Sequence, residues 1–487
     1  MNDAALVHHT GIDLRPDHSR VIASFFLPGV EDVGPGHSRA APVIQRILDL
    51  SEAEVETAYA DVEQRFIGRH PDLRAMFDEH ARMVMTRIDP DMHLSGARHM
   101  LLGACFTHES TIEGAALCNP SAVLHPVQSG DDTAFVMSVR GIGEGHRSTI
   151  GFRTGTLAPD GSVTIDTAGS FPHRTTATDG RHHKASFHEM LAGMGDDLEN
   201  AAFILDALPE TFDTADLEAG IQRLEADGRS WRNVGVTVAY LRRFAASSYR
   251  SQFPADRPLS ERVLMPRAPA EWQGMEDARF VRFTDADGAV TYLATYTAFD
   301  GVHITQQLLE TRDFETFQMS PMAGAAAQGK GLALFPRLVG GRYAALSRSD
   351  RETNAIAFSD DLHCWNERST IQTPDRAWET LQLGNCGSPI ETEEGWLVLT
   401  HGVGPMRTYS VGAILLDLHD PRQVVARTDE PLLVPGTSQR DGYVPNVIYT
   451  CGGFAHGDTL VLPYGIGDQR ISLATLSVSQ LIGSMSR

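Results

Sequence analysis

The chain has 487 residues, 42% of them hydrophobic and 21% charged, enough apolar material for a substantial core and too much for wholesale disorder. At roughly 150 residues per domain, that length corresponds to about three domains or to one large repeat domain. The formal charge of -22 at pH 7 repels phosphate backbones and anionic lipid surfaces, which argues against nucleic-acid or membrane-surface binding as the main task.

Residues 1–105 read as an N-terminal arm followed by a helical segment. Up to about residue 40 the chain is polar and punctuated by Gly and Pro. From Pro42 to about Met85 the apolar period is helical. Ser51 and Glu54 have capping-box spacing, after which Val55, Tyr59, Val62 and Phe66 fall on one face. Pro71 opens a second helix whose stripe is Leu73, Met76, Phe77 and Val84. The opening MNDAALVHHT lacks the basic-then-apolar layout of a secretory signal, and no run approaches the ~20 apolar residues of a membrane span. The five cysteines are scattered with no CxxC pair, which fits a reducing compartment. The expected location is therefore the cytoplasm.

Residues 106–182 and 259–487 have the texture of short strands separated by Asp/Gly turns. A helical insertion, 183–258, interrupts them, with Phe187, Met190, Leu191, Met194 and Leu198 on one stripe and Val234, Val238 and Leu241 on another. The strand-like portion repeats. Short entries containing a polar residue recur at NPSAVL, EDARF, LFPRLV, GSPIET and VPNVIY, the last four starting 58, 53 and 57 residues apart. Each is followed by a second apolar run with a polar or aromatic end: FVMSVR, YLATYT, YAALSR, WLVLTH and LVLPYG. Units of 50 to 60 residues with about four strands each are the pattern of propeller blades, with a β-sandwich as the alternative. The expected fold is an all-β five-bladed β-propeller with an N-terminal helical segment and a helical insertion between blades 1 and 2. Its inner strands would gather Asn119, Arg140, Asp277, Arg279, Arg348, His401 and Asp468 around one funnel suited to a small polar substrate, particularly a sugar.

Within GMEDARF, strand alternation puts Asp277 and Arg279 on one face and turns Glu276 away. Asp277 then reads as a general acid or a hydroxyl-binding carboxylate, or as half of a salt bridge closing a blade. GAAAQGKG, 324–331, nearly matches a phosphate loop, but Gly331 replaces the Ser or Thr and an apolar strand follows instead of a helix. Lys330 nevertheless stands out, since Lys184 is the only other lysine beside 39 arginines. It can bind an anion as a point charge. The GIGEG run, 141–145, reads as a tight turn. FHEMLA lacks the second histidine of a zinc motif, and His182 and His183 read as a solvated loop.

NPSAVLHP, GMEDARF, LFPRLVGGRYAALSR, GSPIETEEGWLVLTHGV, YSVGAILLDLHDP, GYVPNVIYTCG and LVLPYGIGDQRISLAT, in that order and spacing, resemble glycoside hydrolase family 130, the β-mannoside phosphorylases and β-mannosidases. The resemblance covers about 119–180 and 260–480 and implies a five-bladed propeller. By position it makes Asp277 the catalytic acid, passing its proton through a substrate hydroxyl. It makes Asn119, Arg140 and Asp468 sugar ligands, with Arg279 helping to orient the sugar. Lys330 and Arg348 fall where phosphorylases keep phosphate ligands, with His401 close by. Two departures stand out: Ala278 replaces a customary Pro, and Glu391 stands where many phosphorylases carry Lys. A carboxylate there would repel phosphate and could activate water in an inverting hydrolysis.

The expectation is thus a carbohydrate-active enzyme, a glycoside phosphorylase (a glycosyltransferase) or a hydrolase, that cleaves β-mannosidic linkages with inversion. Phosphorolysis to mannose 1-phosphate is preferred to hydrolysis with Glu391 as base, and a non-catalytic sugar-binding propeller is the rival from another class. No metal or organic cofactor is implied, inorganic phosphate being the co-substrate. The expected partner is a small β-mannoside. The helical additions suit capping of the funnel or formation of a homo-oligomer.

Overall fold

The computed structural model describes residues 6–29, 39–195, 198–227 and 233–487, and the chain divides into two compact units. Residues 1–5 and 30–38, part of the expected arm, lie outside the described residues.

The smaller unit is built from residues 18–112. Its helices are Ala40–Asp49, Glu52–Phe66, Leu73–Met85 and Gly96–Cys105, beside a two-stranded sheet of Val21–Phe25 and Thr107–Thr111. Ser51 accepts from the Glu54 N–H, and the Glu54 carboxylate takes the Ser51 N–H at 2.8 Å, so the capping box forms as its spacing predicts. Asp72 rather than Pro71 caps the next helix, accepting from the Ala75 N–H. Val55, Val84, Leu102 and Phe106 close the core of this unit.

The larger unit is dominated by five antiparallel sheets in chain order. The first runs Ala116–Leu124, Thr133–Ile142, Ser148–Leu157, Val163–Ile165. The second runs Gly274–Thr284, Val290–Phe299, Ile304–Thr311, Thr316–Pro321. The third comprises Ala333–Leu334, Tyr343–Ser347, Asn354–Ser359 and Glu367–Gln372. In the fourth, Gln382–Asn385 and Ile390–Thr392 both pair with Gly395–Val403, followed by Tyr409–Leu416 and Val424–Arg427. In the fifth, Ile448–Tyr449 and Phe454–His456 pair with Thr459–Ile466, followed by Arg470–Ser477. A parallel contact between Gly274 and Ser148 joins the first two sheets.

Each sheet packs on the next, and the fifth returns to the first through Thr459–Ile466 and Ala116–Leu124. Apolar clusters fill the seams. Phe152, Phe280 and Phe317 lie between the first two sheets, Leu293, Leu334 and Trp365 between the second and third, and Ile356 and Trp396 between the third and fourth. Leu399 and Leu462 join the fourth to the fifth, and Met137 and Leu473 join the fifth to the first. Each fully buried large side chain contributes roughly 1.5–3 kcal/mol.

Two boundaries differ from the sequence reading. His8–Leu14, read as arm, pairs antiparallel with Arg470–Ser477 and supplies the outer strand of the fifth sheet. Its polar residues mislead because six of its seven residues alternate strictly between exposed and half-buried. Thr176–Asp179, assigned to the first β unit, instead pairs with Tyr249–Gln252, which pairs with Thr316–Pro321 of the second sheet. The two ends of the helical insertion are therefore pinned side by side on one sheet.

The insertion holds helices Lys184–Gly193, Glu199–Leu205, Thr214–Ala226 and Val234–Ala245. Phe187, Leu191, Ile204, Leu217, Ile221 and Leu241 form its own core, whereas Met194 lies past the end of its helix and is exposed. His182 is fully buried against Phe187 and Phe212, and His183 stacks on His363 at 3.5 Å, so this pair is packed structure and not a solvated loop. Among the described residues, no helix is long and apolar enough to cross a membrane.

Candidate active site

The first strands of the first and second sheets each break their alternation at the fourth residue. Register shifts between Cys118 and Ser121 in the first sheet and between Glu276 and Arg279 in the second mark β-bulges. Asn119 and Asp277 take left-handed backbone angles there, φ 48 and 56. Asn and Asp are the side chains that best tolerate this region, and bulges re-aim side chains. Here the bulges turn the Asn119 amide onto the Asp277 carboxylate, to which it donates a short hydrogen bond.

The same bulge corrects the sequence reading of Glu276. Instead of facing away, Glu276 joins Asp277 on one cation: Arg140 donates through Nη2 to Glu276 at 2.7 Å and through Nη1 to Asp277 at 3.2 Å. Arg140 Nε is fixed on Ser148 Oγ at 2.9 Å. Lys330 Nζ reaches the second Glu276 oxygen at 2.6 Å. Glu276 is thus a bridge between the two cations, a role alternation could not reveal.

Arg279 does not hold the Asp277 carboxylate. Its guanidinium donates to the Asp277 backbone carbonyl at 2.9 Å, to the Cys386 carbonyl at 2.8 Å and to Tyr449 Oη at 3.0 Å, and it is fully buried. With all three nitrogens engaged, it fixes the strained backbone under Asp277 rather than meeting a sugar.

Asp468 sits in the turn between Thr459–Ile466 and Arg470–Ser477, also at a left-handed angle, φ 46. Burial pushes its carboxyl up to about 6, with Arg140 opposing and the charges of Asp277 and Glu276 adding to the rise. Asp277 goes the other way. Burial would raise it, but Arg140, Lys330 and Arg279 outweigh that and hold it at about 2. The site therefore contains an ionised carboxylate beside one whose proton affinity lies near neutrality.

Arg348 and His401 lie together on the third and fourth sheets. A Cβ on Gly384 would come within 2.7 Å of His401 Cε1 and 2.8 Å of Arg348 Cδ, and one on Gly331 within 2.6 Å of Arg348 Cδ. Glycine at both positions lets these side chains close up beside Lys330. Burial, reinforced by Arg348 and Arg279, holds His401 well below the usual histidine range, so its ring is neutral. Arg348 Nε, both His401 ring nitrogens and Asn385 Oδ1 are buried with no hydrogen-bond partner. Such groups are costly when left unsatisfied, which makes the Arg348 and His401 nitrogens candidates to bind a polar ligand.

Glu391 is not part of this assembly. It pairs with Arg337 Nη2 at 2.6 Å and lines a separate cleft of about 270 Å³ with Leu124, Arg282 and Thr284. Leu124 and Thr284 are the far ends of strands whose other ends carry Asn119 and Asp277. The cleft also takes in Phe280 and Val281, but none of Asn119, Arg140, Asp277, Lys330 or Asp468 lines it, and the Glu391 carboxylate is engaged by Arg337. Among the described residues, no cluster of His, Cys, Asp or Glu is arranged to hold a metal ion.

Comparison with known proteins bears on the family of the chain. The β-1,4-mannooligosaccharide phosphorylase family matches residues 255–487. A 1,2-β-oligomannan phosphorylase from Thermoanaerobacter sp. (strain X514) is 33% identical over 230 residues, 46% of this chain and 75% of that protein. A β-1,2-mannobiose phosphorylase from Listeria innocua serovar 6a is 29% identical over 293 residues, 59% of this chain and 78% of that protein. The solved structure of β-1,2-mannobiose phosphorylase from Listeria innocua with β-1,2-mannobiose aligns over 77% of this chain and 93% of that one, at 21% identity and a TM-score of 0.46. These relatives define a carbohydrate-active enzyme of the glycoside phosphorylase or glycoside hydrolase type. The chain belongs to glycoside hydrolase family 130.

Proposed function

We propose that this enzyme cleaves a terminal β-mannosidic bond by phosphorolysis, with inversion, releasing mannose 1-phosphate. The observation that carries the reading is the cradle of Lys330, Arg348 and His401, with buried nitrogens lacking partners on the last two, set beside the Asp277 carboxylate. A phosphate dianion needs several such donors, because its burial without them is prohibitive. The β-mannoside phosphorylase names of the relatives support the substrate class.

In this reading the five sheets are the blades of a propeller, supported by their chain order and the return of the fifth onto the first. The helical insertion then falls between blades 1 and 2. Mannose occupies the pit between Asn119, Arg140 and Asp468. A phosphate oxygen attacks C1 from the side of Lys330 and Arg348, the C1–oxygen bond opposite breaks, and Asp277 sends its proton through a mannosyl hydroxyl to the leaving oxygen. Asp277 ends as a carboxylate and the leaving sugar gains a hydroxyl. Phosphate also prepares this step. Its negative charge cancels part of the pull from Lys330 and Arg140 that holds Asp277 low, so Asp277 gains proton affinity as the complex fills. Hydrolysis lacks support from Glu391, which is paired with Arg337. Five unpaired cysteines support a reducing, cytoplasmic setting.

The test is incubation with β-1,2-mannobiose, β-1,4-mannobiose and mannosyl-glucose, with and without phosphate, following the anomer by NMR. The expected product is α-mannose 1-phosphate, formed only when phosphate is present. Free mannose in both tubes would replace this reading with hydrolysis.

A further inference from the structure

Lys330 stands between two glycines, and both take left-handed backbone angles, φ 77 at Gly329 and 96 at Gly331. Glycine enters that region without steric cost and leaves it as easily, so neither neighbour holds the lysine in place. Packing does not close in on Gly329 either, because Gln306, Gln328 and Gly329 line a cleft of about 510 Å³. The lysine itself adds a flexible four-carbon stem. A charge carried on such a segment needs other groups to fix its position.

Three buried side chains from neighbouring strands supply them. Gln306 Nε2 donates to the Gly329 carbonyl at 2.9 Å, and Asn385 Nδ2 donates to the Gly331 carbonyl at 2.8 Å. The Thr295 hydroxyl donates to the next carbonyl, that of Leu332. Gln306 is 1% exposed and Asn385 is fully buried. Register explains why Gln306 meets this loop. Glu276, Thr297 and Gln306 are direct cross-strand partners on three adjacent strands of the second sheet, so their side chains share one face. At one end of that row Gln306 takes the Gly329 backbone, and at the other Glu276 takes Lys330 Nζ. Asn385 reaches Gly331 from the fourth sheet. The lysine is thus held at its root from two sheets and at its tip by Glu276.

The two amides make these bonds at a cost. A carbonyl can only accept, so each amide turns its nitrogen to the loop, and Gln306 Oε1 and Asn385 Oδ1 are left buried without a partner. An unsatisfied buried acceptor is unfavourable, and an apolar side chain of similar length would avoid it. Such a side chain could not grip the two carbonyls that flank Lys330.

We infer that Gln306 and Asn385 are positioning residues for Lys330: they fix the backbone on both sides of it and so set how firmly the loop presents its ammonium group to phosphate. The inference rests on the phosphorolysis reading for the identity of the anion and adds the residues that prepare its site.

The experiment compares the wild type with Gln306→Met, which keeps the length and removes the amide, with Asn385→Ala, with Lys330→Ala, and with Gln306→Met and Lys330→Ala combined. A melting curve accompanies each. At saturating mannobiose, KM for phosphate should rise about three- to tenfold in Gln306→Met and in Asn385→Ala, the scale of one neutral hydrogen bond. In Gln306→Met, kcat at saturating phosphate and KM for mannobiose should stay within about twofold, a split that general loosening of the fold would not produce. In the Lys330→Ala background Gln306→Met should add less than about twofold, because no ammonium group is left to position. An unchanged phosphate KM, equal losses in both backgrounds, or a fall in kcat alone would overturn the inference. If the wild type turns over no mannoside, the phosphorolysis reading fails by itself. Hydrogen exchange then decides the clamp: faster amide exchange at 328–332 in Gln306→Met upholds it, and unchanged exchange overturns it.

Discussion

Asn119 and Asp277 lie 158 residues apart, yet both occupy left-handed positions at bulges in strands that contact each other, and the amide of one donates to the carboxylate of the other. Backbone strain of this kind costs of order 1–3 kcal/mol per residue and persists where the surroundings over-determine it. The pairing shows what the strain accompanies: two bulged strands deliver these groups to one place.

Asp277→Asn should abolish turnover while leaving the protein folded. Asn tolerates the φ of 56 as well as Asp does and still offers an oxygen to Asn119, so the melting temperature should change by only a few degrees. Loss of a positioned acid typically costs 10²–10⁴-fold, and a drop of about that size in kcat is expected. Near-wild-type kcat would remove Asp277 from the proton path.

Lys330→Ala should raise KM for phosphate at least about tenfold, the scale of losing a hydrogen bond to a charged group at ~1.5–3 kcal/mol. Glu276 keeps its contact with Arg140, so the sugar site stays assembled and mannoside binding without phosphate should change little. Steady-state kinetics with phosphate varied at saturating mannobiose gives the first quantity, and calorimetry the second. An unchanged phosphate KM would show that the cradle binds something else.

Glu391→Gln should leave kcat and both KM values within about twofold of wild type. Its partner is Arg337, and each of these side chains is 40% exposed. A solvent-accessible ion pair contributes about 0.2–1 kcal/mol, so the expected cost is a small fall in melting temperature and nothing in catalysis. A hundredfold loss of activity would restore Glu391 to the chemistry and with it the hydrolytic reading.

The outcome for Glu391 illustrates how far the sequence could be read. Repeated pairs of apolar runs gave the sheets their order, because alternation and turn residues are local signals. Asn119, Arg140, Asp277, Lys330 and Asp468 were recognisable as polar ends of those runs, and the structure brings them together. Glu276 was missed because alternation assumes a regular strand, and a left-handed residue at 277 breaks it. Glu391 was misplaced because motif position says nothing about which end of a strand a residue occupies. The unpartnered atoms of Arg348 and Asn385 depend on contacts between segments far apart in the chain.

Asp468 supplies a prediction with a defined sign. Its folded-state affinity is raised to about 6 from an unfolded value near ~3.9, so the folded protein binds a proton there that the unfolded chain has already released. The stability tied to that proton is fully present below about pH 4 and is lost as pH rises through about 6. Asp468→Asn removes the charge and keeps a residue type that accepts the φ of 46. The variant should therefore match the wild type in stability near pH 4 and gain on it between pH 4 and 6. Above pH 6 the advantage should level off on the order of 2 kcal/mol, reduced to the extent that solvent reaches the carboxyl. Urea unfolding of both proteins at a series of pH values measures the difference directly. A gap that stays constant with pH, or one that favours the wild type above pH 6, would mean that burial and the charges of Asp277 and Glu276 do not raise the Asp468 carboxyl.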